Sequence, residues 1–274
     1  MGKFDGALIC TDLDGTLFRN DKTISDENIR AIEYFKSQGG LFTFITGRTP
    51  CFVTDVCDAV RPNVPFGCVN GGGIYDYTGG KYLWTQPLNP TALDMVEYIE
   101  REIPTIGIQM YTYDHVYFSR ENSAMAEFRR LTSLPNLVRH YRDIDEPIAK
   151  IVFGDESDEV ISRVSELLRS HPLAEGFDFI RSERTLFEIL PKGVSKGDVL
   201  KKIVSILNID PDMTVAVGDY DNDVLMLREA KVGVAVANAS AGAKAAADIV
   251  TVSNEEHAIA RIIGDIEAGN IRLR

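Results

Sequence analysis

The sequence is short of the residues that several common chemistries require. Its 274 residues include four cysteines, four histidines and one tryptophan. The cysteines, Cys10, Cys51, Cys57 and Cys68, fall in the first quarter without a C-x-x-C pair, so packed, reduced thiols are expected instead of a disulfide framework or a zinc site. The histidines are scattered, and no Ser-His-Asp arrangement is apparent. Positive charge is also scarce: 29 Lys and Arg stand against 41 Asp and Glu, a net charge of -12. Such a surface offers no general field for nucleic acid or an anionic membrane, so any phosphate must be held by local devices. No apolar run approaches the length of a membrane span, and the apolar stretch of "MGKFDGALIC" is too short for a signal-peptide core, which makes the cytoplasm the expected compartment. There is no internal repeat or low-complexity tract, and no segment implies an obligatory protein partner.

What remains is an ordinary globular composition, 45% hydrophobic, in a chain longer than one comfortable core. The β-branched runs "ALICTD", "LFTFITG", "FGCVNG", "MTVAVGD", "VGVAVAN" and "DIVTVS" are nearly continuous in apolar residues, the pattern of parallel strands buried on both faces. Helical segments alternate with them. One is "DENIRAIEYFKSQ", with Ser25 as its cap, Ile29, Ile32 and Phe35 on one side and Gly39-Gly40 as its stop. The two ends of the chain therefore predict one α/β domain, residues 1–83 with 189–274. Between them "IGIQMYTYDHVYFS" and "FDFIRSERTLFEILP" read as hairpins, with helices at "ENSAMAEFRRL" and "DEVISRVSELLRS". Residues 84–188 are thus expected to form an inserted α+β domain, an antiparallel sheet with helices on one side.

In an open parallel sheet, ligands gather at the carboxyl ends of the strands. Those ends carry Asp12, Asp14 and Thr16, then Thr46-Gly47-Arg48, then Asn70 before a run of glycines, then "GDYDND" from Gly218 to Asp223. Lys196 opens a helix where the chain returns from the insertion. Asp12 and Asp14 share a side if the strand geometry continues to Asp14. The carboxylates of Asp12, Asp14, Asp219 and Asp223 could not all ionise without a counter-charge, and oxygen ligands without nearby histidine or cysteine suit Mg²⁺. With Thr46, Gly-rich turn amides and one lysine, this is the composition of a phosphoryl site that transfers phosphate to an aspartate. Arg48 either binds phosphate or pairs with an acid to hold its loop, and Asn70 either faces the site or only makes a turn.

"DLDGT", "ITGR", "SKG" and "GDYDND", in that order, resemble the four motifs of the haloacid dehalogenase-like hydrolases. The insertion after "VNGGG" and the stretch "LFEILPKGVSKG" are similar to the Cof-like (type IIB) phosphatases. The resemblance implies a Rossmann-like core with an α/β cap over the active site. It implies that Asp12 is the nucleophile and Asp14 the general acid that later activates water. Thr46, Gly47 and Lys196 would bind the transferring phosphoryl group, with Asn222 near the phosphate or Lys196. Asp12, the backbone carbonyl of Asp14 and Asp219 would hold Mg²⁺, backed by Asp223. Dehalogenases lack the acid at the Asp14 position and transport ATPases have threonine there, so the resemblance points to phosphatases or phosphomutases. A cap over the site implies small substrates such as sugar phosphates or phosphorylated cofactors, with a phosphatase as the expected activity. A phosphomutase of the same superfamily and a phospho-accepting signalling module remain as alternatives.

Overall fold

In the computed structural model, which describes residues 2–132 and 134–273, the apolar run after Gly6 forms β1 (Leu8–Thr11), with every residue buried. Helix α1 (Asp26–Ser37) follows, its first turn capped by the Ser25 hydroxyl accepting from Asn28 N. Ile32 and Phe35 are fully buried beneath it, whereas Ile29 is only half-buried, because Asn28 takes the inner position and accepts from Ala260 N. The chain continues through β2 (Leu41–Phe44), α2 (Thr54–Val60), β3 (Phe66–Cys68), β4 (Gly73–Asp76) and β5 (Lys81–Thr85).

The inserted segment contains α3 (Ala92–Glu102), β6 (Gly107–Thr112), β7 (Val116–Arg120), α4 (Ser123–Thr132), β8 (Ile148–Gly154), α5 (Asp158–Ser170), β9 (Phe177–Glu183) and β10 (Leu186–Pro191). The chain then returns through α6 (Lys196–Leu207), β11 (Thr214–Gly218), α7 (Val224–Glu229), β12 (Val232–Ala235), α8 (Ala241–Ala246), β13 (Ile249–Val250) and α9 (Ala258–Glu267). Two units result, Met1–Thr85 with Ser195–Arg274, and Gln86–Val194.

In the first unit, β13-β12-β11-β1-β2 form a parallel sheet. Its carboxyl edge is the end where Asp12 and Asp219 leave β1 and β11. The run "FGCVNG" behaves differently from the parallel strand its apolar residues suggest. Its Phe66–Cys68 pairs antiparallel with β4, which pairs with β5, and keeps a parallel relation to the first sheet through the single Ile45–Gly67 bridge, beside which the Phe44 and Phe66 rings stack.

The second unit is an antiparallel sheet in the order β7-β6-β8-β10-β9. Ile108, Met110, Ile151, Phe153, Phe187 and Ile189 pack with residues of α3 and α5 in its core. Alternation along these strands sends the other side chains, Gln109, Lys150 and Glu188 among them, to the opposite face.

Cys10, Cys57 and Cys68 are buried thiols, but Cys51 is exposed, so packing does not account for all four. Among the described residues no helix is long and apolar enough to cross a membrane.

Candidate active site

Strand β1 ends at Thr11, and Asp12 N still donates to Val217 O of β11 at 2.8 Å, which seats the Asp12 carboxylate at the sheet's carboxyl edge. The backbone then makes one wide turn over Leu13–Leu17, closed by Phe18 N donating to Leu13 O. Within it Gly15 has φ +80°, and a Cβ there would lie 2.5 Å from Asp219 Oδ2. Glycine is therefore required both for the backbone and for the close approach of Asp219. Thr16 Oγ1 donates to Asp219 Oδ1 at 2.8 Å, Asn238 Nδ2 to Gly15 O at 2.8 Å, and Asn254 Nδ2 to Phe18 O at 3.0 Å.

Lys196 is the first residue of α6, whose amide at Asp198 is capped by Ser195 Oγ. Its side chain is 1% exposed and donates to Asp12 Oδ1 at 2.5 Å and to Asp223 Oδ1 at 2.7 Å. Burial alone would lower the ammonium's pKa, but the charges of Asp12 and Asp223 outweigh it and hold Lys196 above its ordinary value. Asp223 Oδ2 accepts from the amides of Asp219 and Tyr220 at 2.9 and 3.1 Å. Both Asp223 oxygens are thus committed to holding Lys196 and the loop after β11.

Asp12, Asp219 and Asp223 each bring a carboxylate oxygen within 4.8 Å of the others. Burial raises the Asp12 pKa well above the usual range despite Lys196, with Asp223 and Asp219 adding to it. Burial, and then the Asp223 charge, lift Asp219 to about 7. One lysine does not balance three acids. Asp12 Oδ2 and Asp219 Oδ2 take no hydrogen bond from the described residues, while their partner oxygens are occupied by Lys196 and Thr16. Two free carboxylate oxygens in a crowded all-oxygen site fit a hard divalent cation.

Asp14 does not join these carboxylates. Its Oδ2 accepts from Arg48 Nε at 2.8 Å, and its Oδ1 from Arg48 Nη2 at 2.7 Å and Lys22 Nζ at 2.8 Å. Burial would raise its pKa, but the two cations, Arg48 foremost, bring it down to about 2. The two-residue periodicity that would align Asp14 with Asp12 fails because the strand stops at Thr11 and the wide turn redirects the chain. Arg48 takes the acid-pairing arrangement considered from the sequence. Lys22 carries no motif signal. It sits at φ +67° in a tight turn where Arg19 N donates to Thr23 O and Lys22 N to Arg19 O.

Thr46 is buried, and its Oγ1 accepts from Arg48 N at 3.2 Å. Asn70 is also buried, and its Oδ1 accepts from Asn222 Nδ2 at 3.2 Å. A Cβ on Gly47 would lie 3.0 Å from that same Oδ1, so Gly47 and Asn222 flank the Asn70 amide. Asp221 is exposed and accepts from Ser240 Oγ at 2.9 Å.

The model of the haloacid dehalogenase-like hydrolase family matches residues 9–263. The 5-amino-6-(5-phospho-D-ribitylamino)uracil phosphatase YitU of Bacillus subtilis is 28% identical over 262 residues, covering 93% of this chain and 96% of its own. The phosphatase YwpJ of the same organism is 26% identical, with 93% and 98% covered. A crystal structure of a haloacid dehalogenase-like hydrolase from Bacteroides thetaiotaomicron superposes with a TM-score of 0.82 at 24% identity, over 95% of this chain and 99% of that one. The chain belongs to the haloacid dehalogenase-like hydrolases, among their Cof-type phosphatases.

Proposed function

We propose that this enzyme is a Mg²⁺-dependent phosphatase that hydrolyses a small phosphorylated metabolite, a sugar phosphate or a phosphorylated cofactor, through a phospho-Asp12 intermediate. The observation that carries this reading is the buried Lys196, which binds Asp12 and Asp223 while one oxygen each of Asp12 and Asp219 stays uncommitted. A phosphate ester on a polyol chain is the substrate class to test first, because the relative YitU is named for a phosphorylated ribityl compound.

In this mechanism an Asp12 oxygen attacks phosphorus as the ester P–O bond breaks, and Asp14 delivers a proton to the leaving oxygen. Water then attacks the phosphorus of phospho-Asp12, with Asp14 taking its proton. Lys196 offsets charge on the transferring group, while Thr46 and the Gly47 turn seat it. Asp12, Asp219 and the backbone carbonyl of Asp14 would hold Mg²⁺, which supplies positive charge to the phosphoryl oxygens when bound. The hydrogen bonds to Arg48 and Lys22 keep the Asp14 carboxylate in the form that accepts a proton. Donation to the leaving group therefore requires those contacts to open, and the phosphate dianion is the competing anion.

Asp14→Asn keeps the shape but not the proton, and its turnover should fall by about 10²–10⁴-fold. Wild-type-like release of phosphate from this variant would refute the acid assignment. A panel of phosphorylated metabolites, read as kcat/KM with inorganic phosphate and isomer products both quantified, tests the overall reaction. Isomer interconversion without net phosphate release would make the enzyme a mutase, and stoichiometric phosphorylation without turnover would make it a phospho-acceptor.

Metal dependence carries a pH signature. The folded Asp219 titrates near 7 and an unfolded aspartate near 4, so the unfolded chain ionises first as pH rises. The EDTA-treated protein should therefore lose stability between about pH 4 and pH 7, and the melting temperature gained on adding Mg²⁺ should be larger at the higher pH. EDTA should also silence turnover until Mg²⁺ is restored. A gain independent of pH, or hydrolysis indifferent to EDTA, would contradict the site.

A further inference from the structure

The loop after β3 has three consecutive residues in the left-handed region: Val69 at φ +55°, Asn70 at φ +53° and Gly71 at φ +106°. Glycine and asparagine accept that conformation, but a β-branched valine is among the residues least suited to it. All three residues are buried. Strain of this kind persists only where the surroundings over-determine the backbone, and it concentrates at functional sites.

The surroundings here are the loops already described. Val69 N donates to Arg48 O and Asn70 N to Thr46 O, both at 3.0 Å, so successive amides grip the turn that carries Thr46, Gly47 and Arg48. The Asn70 side chain accepts from Asn222 Nδ2 and fills the space beside Gly47. On the far side of Asn70, a Cβ on Gly71 would lie 2.3 Å from Ser195 O, so the loop runs directly against the residue that caps the helix bearing Lys196. One short strained segment thus touches three separate loops that the proposed mechanism uses. An ordinary Asn-Gly turn needs neither a left-handed valine nor these contacts.

We infer that Val69–Asn70–Gly71 is a positioning device for phosphoryl transfer, in which Asn70 acts through Asn222 and the Thr46–Gly47 turn to hold them in register with Lys196. This rests on the phosphatase reading. Asn70 is a positioning residue here, and its partner Asn222 is the group near the phosphate.

The test is a double-variant cycle on the full chain, comparing wild type, Asn70→Gly, Asn222→Ala and the double variant. Glycine retains the left-handed backbone and removes only the amide. Turnover of p-nitrophenyl phosphate and of sugar phosphates is measured with Mg²⁺, and orthovanadate binding is followed separately by thermal shift. Asn70→Gly should lower kcat by about tenfold or more with little change in KM, and the double variant should be no worse than Asn222→Ala alone, the non-additivity expected of residues acting as one unit. Orthovanadate binding should show the same non-additivity. Independent, multiplying effects, or wild-type kcat and vanadate binding in Asn70→Gly, would overturn the inference.

If Asn70→Gly does not fold, Asn70→Asp tests the same point. It keeps the acceptor for Asn222 and adds charge, so KM for the phosphate ester should rise while kcat stays within about threefold of wild type; a collapse of kcat at unchanged KM would overturn the positioning role. Wild-type protein that binds vanadate but releases no phosphate from any ester would instead count against the phosphatase reading, and the vanadate cycle would still decide the role of Asn70.

Discussion

Asp12→Ala should remove turnover while leaving the protein as stable as wild type, or slightly more so. The loss should reach about 10⁴-fold or more, because a nucleophile removed from a covalent mechanism leaves only binding and charge stabilisation behind. The stability follows from the charges. Lys196 keeps its 2.7 Å bond to Asp223 when Asp12 is gone, so no buried cation is left unpaired. Burial and two neighbouring carboxylates disfavour the ionised Asp12, so its removal relieves crowding in the metal-free protein. Steady-state kinetics beside a thermal melt would check both halves. Activity within tenfold of wild type would end the nucleophile assignment, and an unfolded variant would contradict the account of the charges.

Lys196→Met reverses the second half of that outcome. Activity should be lost, and stability should go with it, because Asp12 and Asp223 are left in a buried site without their shared cation. Removing one partner from a buried ion pair costs about 3–5 kcal/mol, and for a unit of this size that corresponds to a fall of roughly 10 °C in melting temperature. The deficit should shrink at lower pH as the stranded carboxylates take up protons. Mg²⁺ should recover part of the stability and none of the activity. A variant as stable as wild type at neutral pH would show that Lys196 does not carry the charge balance assigned to it.

The contrast between these two variants reflects what the sequence makes legible. Apolar runs that stop at an acid marked the ends of β1 and β11 and so located Asp12 and Asp219. Ser25 marked a helix start from the sequence, and in the structure Ser157 and Ser195 cap α5 and α6 in the same way. The two hairpins read in the insertion are present, with β6 and β7 joined across residues 113–115 and β9 and β10 across residues 184–185.

Other features depend on contacts that no local pattern encodes. Phe66–Cys68 looks like a doubly buried parallel strand, yet its pairing is decided by Gly73–Asp76 and Lys81–Thr85, which follow an interrupting glycine run. Asp14 departs from Asp12 because the strand ends at Thr11, three residues before it. Lys22 and Asn254 reach the first loop from a tight turn and from across the fold, at spacings that carry no periodic signal. The strain at Val69 likewise becomes visible only as a backbone angle.

The central claim, that phosphate passes through a covalent bond to Asp12, is tested most directly by chemical trapping during turnover. Borohydride reduces an aspartyl phosphate to homoserine, which peptide mass spectrometry can place. Enzyme quenched while hydrolysing a phosphate ester in the presence of Mg²⁺ should contain homoserine at position 12 and at no other aspartate, and omission of either substrate or Mg²⁺ should abolish it. Active enzyme that yields no homoserine, or yields it at a different residue, would contradict the account.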